Sequence, residues 1–170
     1  MKKIILINIA AILSLFLLAS CQNEPVDPAI DLNPIIPVLP ASFKADFDGQ
    51  TYIASQIDAT IAEGQISINA YKGAQLQSFS IAITGTTVGS YLANENIISY
   101  SAGTGQPLFV SVNPTNILQN TGQVTITSID TVNKTISGNF NFTGYNDDVI
   151  PTITKEFTNG IFENIPYFTN

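Results

Sequence analysis

The sequence predicts an all-β domain, an antiparallel β-sandwich built largely from sequential hairpins, with a closed β-barrel as the alternative architecture. Three observations carry this expectation. Apolar and polar residues alternate in Ile66-Ser67-Ile68-Asn69-Ala70, Phe79-Ser80-Ile81-Ala82-Ile83 and Val124-Thr125-Ile126-Thr127, which places one face of each run in a core and the other in water. Short turn pairs punctuate the runs: Asp48-Gly49, Glu63-Gly64, Lys72-Gly73 and Asn133-Lys134. No amphipathic helix is legible after the first twenty residues; the stretch 115–121 makes at most a short turn.

Taken in order, strands are expected over 43–47 and 51–54, joined at Asp48-Gly49, and over 57–62 and 65–71, joined at Glu63-Gly64. Lys72-Gly73 leads into a strand over 78–84, followed by 97–101 and 108–112, with Gly103-Thr104-Gly105 read as loop punctuation. Asn120-Thr121-Gly122 is likewise a loop, opening a strand over 124–129 that turns at Asn133-Lys134 into 135–142. Phe140 and Phe142, two apart on that strand, are expected to share the core face. The last strand is expected over 153–157, with Asn159-Gly160 read as a turn. Residues 41–170 can bury one sizeable core, so a single domain suffices.

The N-terminus reads differently. Met1-Lys2-Lys3 supplies a positive start, residues 4–18 are almost unbroken apolar sequence, and Ala19 and Ser20 are small, the layout of a secretory signal over 1–20. The apolar run is shorter than the roughly 20 residues of a spanning helix and meets Gln22-Asn23-Glu24 at once. Leu18-Ala19-Ser20-Cys21 resembles the lipobox of bacterial lipoproteins, which implies cleavage before Cys21 and lipid on its sulfur. Residues 21–40 then form a tether, since Pro25, Pro28, Pro34, Pro37 and Pro40 oppose helix and central strand alike. The apolar Ile35-Ile36-Pro37-Val38-Leu39 is expected to lie against a sheet edge.

Composition excludes whole classes of function. Cys21 is the single cysteine, so the mature chain makes no internal disulfide. The formal net charge is −7, and loss of Lys2 and Lys3 leaves four lysines against 13 acids, a net charge of −9. Nucleic acid is therefore not expected as a partner, and anionic headgroups repel such a surface, so bilayer attachment falls to acyl chains on Cys21. There is no histidine. Hydrolases with a histidine base and zinc sites of the usual kind are excluded with it.

The order Phe43-x-Ala45-x-Phe47-Asp48-Gly49, Gly89-x-Tyr91, Gly122-Gln123-Val124-Thr125-Ile126-Thr127, Lys134-Thr135-Ile136-Ser137-Gly138-Asn139-Phe140-Asn141-Phe142 and Thr158-Asn159-Gly160-Ile161-Phe162 resembles a domain-of-unknown-function lipoprotein family of Bacteroidota. The resemblance covers nearly the whole mature chain and is densest over 134–142. It implies a small, anchored all-β envelope protein and assigns no catalytic residue. One departure is visible: where the resemblance implies tryptophan after the Asp48-Gly49 turn, Tyr52 stands.

Motifs that could carry chemistry are few. Asp46-x-Asp48-Gly49 looks like a fragment of a calcium loop, but no further oxygen ligands follow in 50–54, and a hairpin turn is the reading. Asn146-Asp147-Asp148 gathers oxygen-bearing side chains, making Asp147 and Asp148 weak metal candidates in a solvated loop. Paired-carboxylate chemistry is the one catalytic option left, with Asp58, Glu63, Glu95, Asp130, Glu156 and Glu163 as acids; most sit beside glycine or at strand ends, as solvated turn acids do. Tyr52, Tyr71, Tyr91, Tyr100, Tyr145 and Tyr167 could stack on a sugar, although strand aromatics more often fill cores. Asp130-Thr131-Val132 resembles the O-glycosylation site of exported Bacteroidota proteins, making Thr131 a candidate for modification at a turn.

The expectation is an envelope lipoprotein on the outer membrane, facing the periplasm or the cell surface. Its β domain binds or scaffolds a glycan or an envelope protein, without enzyme activity, cofactor or catalytic residue. A carboxylate-based glycan-active enzyme and a ligand-carrying barrel are the alternatives, the first needing two converging acids and the second a lined apolar cavity.

Overall fold

The computed structural model describes residues 39–73 and 76–169. The expected signal over 1–20, Cys21 and the tether up to Val38 lie outside the described residues. No helix forms among the described residues, and the chain is all-β, as the alternation predicts. Its strands are β1 (Ser42–Phe47), β2 (Gln50–Ile53), β3 (Gln56–Ala62), β4 (Gln65–Lys72), β5 (Gln77–Thr84), β6 (Gly89–Leu92), β7 (Ile97–Ser101), β8 (Leu108–Val110), β9 (Gly122–Asp130), β10 (Thr135–Asn146) and β11 (Ile153–Thr169).

Sequential hairpins account for β1–β2, β3–β4, β4–β5, β7–β8, β9–β10 and β10–β11. Asp48 and Gly49 both take positive φ, as do Glu63 and Gly64, which gives the tight two-residue turns whose twist matches the flanking strands. All eleven strands belong to one mixed sheet in the order β2-β1-β11-β3-β4-β5-β7-β8-β10-β9-β6. The mixture comes from a parallel pairing of β11 with β3 over Tyr167↔Ala59, Phe168↔Thr60 and Thr169↔Ile61. β11 also pairs with β10, so the ladders run round in a circuit; its narrowest join is β8–β10, a single pair, Tyr145↔Val110.

The sheet folds over on itself. Phe43 on β1 and Phe79 on β5 are four strand positions apart, about 19 Å in a flat sheet, yet their ring centroids stand 5.5 Å apart. Phe79 is the hub of an aromatic core: Phe43, Phe47, Tyr52, Tyr100, Phe140 and Phe157 all lie within 6.3 Å of it by centroid. Phe142 stacks on Phe157 at 4.4 Å, and Phe140 and Phe142 are 2% and 1% exposed, on the core face expected of them. Tyr52 takes the place of the implied tryptophan at 1% exposure, and its hydroxyl donates to the carbonyls of Ala70 and Gln77 at 3.0 and 3.1 Å. A buried phenol so partnered avoids the cost of an unsatisfied polar group.

Three expectations are corrected. β6 has no counterpart in the expected strands; it is four residues long and only half-buried, too short to show a period. The last strand does not stop at Phe157, and Asn159-Gly160 is not a turn between elements: β11 runs on to Thr169. Its buried positions are Phe157, Gly160, Phe162, Ile165 and Tyr167, so the spacing changes from two to three twice. Each extra residue is a β-bulge, with Asn159 and Asn164 at φ of 50° and 51° and matching register shifts on β10. The bulged amide of Asn164 donates to the Ser137 hydroxyl at 2.9 Å, and the Asn159 side chain donates to Asp46 at 3.0 Å. Expected strand 108–112 closes earlier, at Val110, because Ser111 turns its hydroxyl inward to the carbonyl of Ala93 at 2.7 Å.

Candidate functional surface

With the interior filled by rings, the outward positions of the strands are what the domain offers to a partner. Register aligns them in rows. One row runs Asp58, Asn69, Ser80, Ser99, Val110, Tyr145 across β3, β4, β5, β7, β8 and β10. Beside it run Gln56, Tyr71, Ser78, Ser101, Leu108 on one flank and Thr60, Ser67, Ala82, Ile97 on the other. Their neighbours along each strand, such as Ala59, Ile68, Phe79, Ile98 and Phe109, are buried, which sets these rows on the outer face. In these three rows Asp58 is the one charged residue, within a chain that carries 13 acids. The amide of Asn69 donates to Asp58 at 3.0 Å and Ser80 donates to Asn69 at 2.9 Å, so the middle of the main row is held by its own hydrogen bonds.

Tyr145 ends this row at a surface groove of about 270 Å³, lined by Leu108, Val110, Val112, Pro114, Tyr145, Asp147 and Asp148. The groove forms at the narrow β8–β10 join, where the loop after β8 and the loop after β10 rise on either side. Asn113 caps the first loop, its carboxamide oxygen accepting from the Thr115 amide and hydroxyl at 2.9 Å each. At the opposite end of the rows, Thr60, Ala62, Glu63, Gln65 and Ser67 line a second concavity of about 290 Å³. A third, of about 400 Å³ on β10 and β11, includes Leu39, the first described residue and 62% exposed. The other residues of the apolar stretch expected to meet a sheet edge, 35–38, lie outside the described residues.

The sequence-level candidates distribute as follows. Asp147 and Asp148 are exposed, but Asn146 is buried at 3% and its side chain donates to the Leu108 carbonyl at 2.8 Å, so alternation along β10 turns the third oxygen ligand of that loop inward. Among the described residues no three of Asp, Glu, His and Cys converge on a metal-sized site. Thr131 is exposed at the tip of the β9–β10 hairpin. Asp130 holds that tip, accepting from the amides of Val132 and Asn133 at 2.8 and 2.9 Å, and these bonds, Asn133 foremost, hold its carboxyl below the usual range.

The remaining acids are dispersed among separate partners. Asp46 accepts from Thr51 at 2.7 Å and from Asn159, the first lowering its pKa most. Asp48 pairs with Lys155, whose ammonium lies over the rings of Phe47 and Phe109 at 5.3 and 5.2 Å. Glu156 accepts from Thr143 at 2.8 Å and Glu163 from Ser42 at 3.3 Å. Of the six tyrosines, Tyr52, Tyr100 and Tyr167 belong to the core and Tyr71, Tyr91 and Tyr145 are half-buried. Tyr91 bonds back to the Thr87 carbonyl at 2.8 Å, while Tyr71 and Tyr145 lie in the outer rows. No sequence signal marked the Tyr145 groove, because it depends on β8 meeting β10 across 35 or more residues of chain.

A family model described as a domain of unknown function, DUF6252, matches residues 40–166. The chain belongs to the DUF6252 family. No curated protein and no solved structure matches it. The DUF6252 match thus covers the β domain from Pro40, two residues before β1, into the C-terminal half of β11.

Proposed function

We propose that this DUF6252 protein is an envelope lipoprotein, held on the outer membrane by acyl chains on Cys21, whose β domain binds or scaffolds a partner without catalysis. The anchor rests on Leu18-Ala19-Ser20-Cys21 behind a short apolar signal, and on the resemblance to anchored proteins of Bacteroidota. Whether the domain faces the periplasm or the cell surface, Thr131 at the β9–β10 tip is the position open to O-glycosylation. The observation that carries the binding reading is the outer face: rows with Asp58 as their one charge, leading to the Tyr145 groove over an aromatic core. Asp46, Asp58 and Glu156 are each engaged by a different partner, which favours this over paired-carboxylate catalysis at those acids.

The anchor is tested by mass and fractionation. The mature protein is expected to begin at Cys21, to carry lipid in its intact mass and to pellet with membranes, while Cys21→Ser is released in soluble form. One acyl chain gives marginal attachment at about 0.8 kcal/mol per buried methylene, whereas two or three give stable anchoring. A Cys21→Ser protein that still pellets, or a wild-type mass without lipid, refutes this half of the reading.

A further inference from the structure

We infer that the ligand of the outer face is an uncharged glycan, seated with one sugar ring against Tyr145 and its chain laid along the row through Ser99, Ser80 and Asn69. This rests on the binding reading above and names the chemistry that the surface would recognise. A pyranose presents an apolar face of C–H groups and a rim of hydroxyls that both donate and accept. The groove matches both: Leu108, Val110 and the Tyr145 ring supply an apolar floor, and the exposed carboxylates of Asp147 and Asp148 at its margin accept hydroxyl protons.

The rest of the row extends the match beyond one ring. From Tyr145 to Asp58 it crosses five strand gaps, about 24 Å at roughly 4.8 Å each, with hydroxyl and carboxamide groups at Ser99, Ser80 and Asn69. Short side chains, and the Asp58–Asn69–Ser80 hydrogen bonds, keep that stretch ordered before a ligand arrives, which lowers the entropy lost on binding. Charge selects among glycans. Asp58, Asp147 and Asp148 border the row without a lysine in it, so uronic acids and sulfated sugars meet repulsion where neutral chains do not. A peptide with basic and apolar residues is the competing occupant of the groove, but it makes no use of the hydroxyl row.

The test uses the full-length lipidated protein in detergent, run through native gels containing dextran, mannan, xylan, β-glucan or polygalacturonate, with a Lys/Leu peptide followed separately by fluorescence anisotropy. At least one neutral polysaccharide is expected to retard the wild type. Tyr145→Ala is expected to weaken that binding roughly tenfold, the loss of one aromatic platform. The exposed pair Asp147→Asn/Asp148→Asn, which leaves the packed residues untouched, is expected to weaken it about threefold or more, and Ile53→Ala, an exposed apolar residue on β2 outside the rows, to leave it within about twofold. The inference is overturned if no neutral polysaccharide binds, or if binding survives both the Tyr145 and the Asp147/Asp148 variants. It is also overturned if polygalacturonate or the Lys/Leu peptide is the ligand that depends on Tyr145, although the binding reading then stands. Retardation accompanied by release of reducing sugar keeps the glycan and refutes the non-catalytic reading instead.

Discussion

Replacing Phe79 by alanine is the most demanding test of the core. Its ring is 1% exposed and lies at 4.9 Å from those of both Tyr52 and Tyr100, and between 5.4 and 6.3 Å from Phe43, Phe47, Phe140 and Phe157. Truncating a buried phenylalanine costs about 3 to 5 kcal/mol, and the spread reflects how far the surroundings collapse into the hole. Here collapse is opposed on all sides, because the six neighbouring rings hang from five different strands held by their own ladders. Aromatic pairs add about 0.5 to 1.5 kcal/mol beyond area burial, so the expected loss lies at the upper end, about 5 kcal/mol. A domain of this size has a total stability of about 7 to 20 kcal/mol, so the variant should fold but melt far earlier. Urea unfolding followed by tyrosine fluorescence and far-ultraviolet circular dichroism measures this as a lowered midpoint with an unchanged slope. A loss below about 2 kcal/mol would mean that Phe79 is not the hub of a close-packed interior, and the folded-over sheet would have to be abandoned.

Three further outcomes follow from the same geometry. Gly144→Ala should destabilise by about 1 to 3 kcal/mol, because a Cβ there would stand 2.8 Å from the Phe157 ring and 2.9 Å from Phe109, and thermal unfolding reads this directly; an unchanged midpoint would contradict that contact. Burial pushes the Tyr52 hydroxyl well above its ordinary value, and the Tyr100 hydroxyl in the same direction for the same cause. A raised folded-state pKa means that stability is complete below about pH 10 and declines as pH rises above it, since the unfolded chain ionises first. Tyr52→Phe should therefore be less stable at neutral pH, through loss of the bonds to Ala70 and Gln77, and should lose less on going from pH 9 to pH 11 than the wild type; an equal decline in both would remove Tyr52 as the cause. Far-ultraviolet circular dichroism of the mature protein should be dominated by β signal, and helix in more than about a fifth of its residues would refute the fold.

The sequence by itself determined the class, most strand positions and the two tight turns, because these depend on neighbours. Alternation is a property of adjacent residues, and Asp48-Gly49 and Glu63-Gly64 demand positive φ within two positions. It also placed Phe140 and Phe142 inward, since that reading needs only a short string. The tertiary structure decided the rest. Two extra residues, at Asn159 and Asn164, shift the inward parity of β11, and a period-two reading has no means of carrying the strand past them when the bulge is held by Asp46 and Ser137 from distant strands. The parallel β3–β11 pairing, the joining of all strands in one sheet, and the row from Asp58 to Tyr145 are set by register between segments far apart in sequence. Such register is chosen by which faces bury together around Phe79, an energy shared by six strands and written in none of them alone.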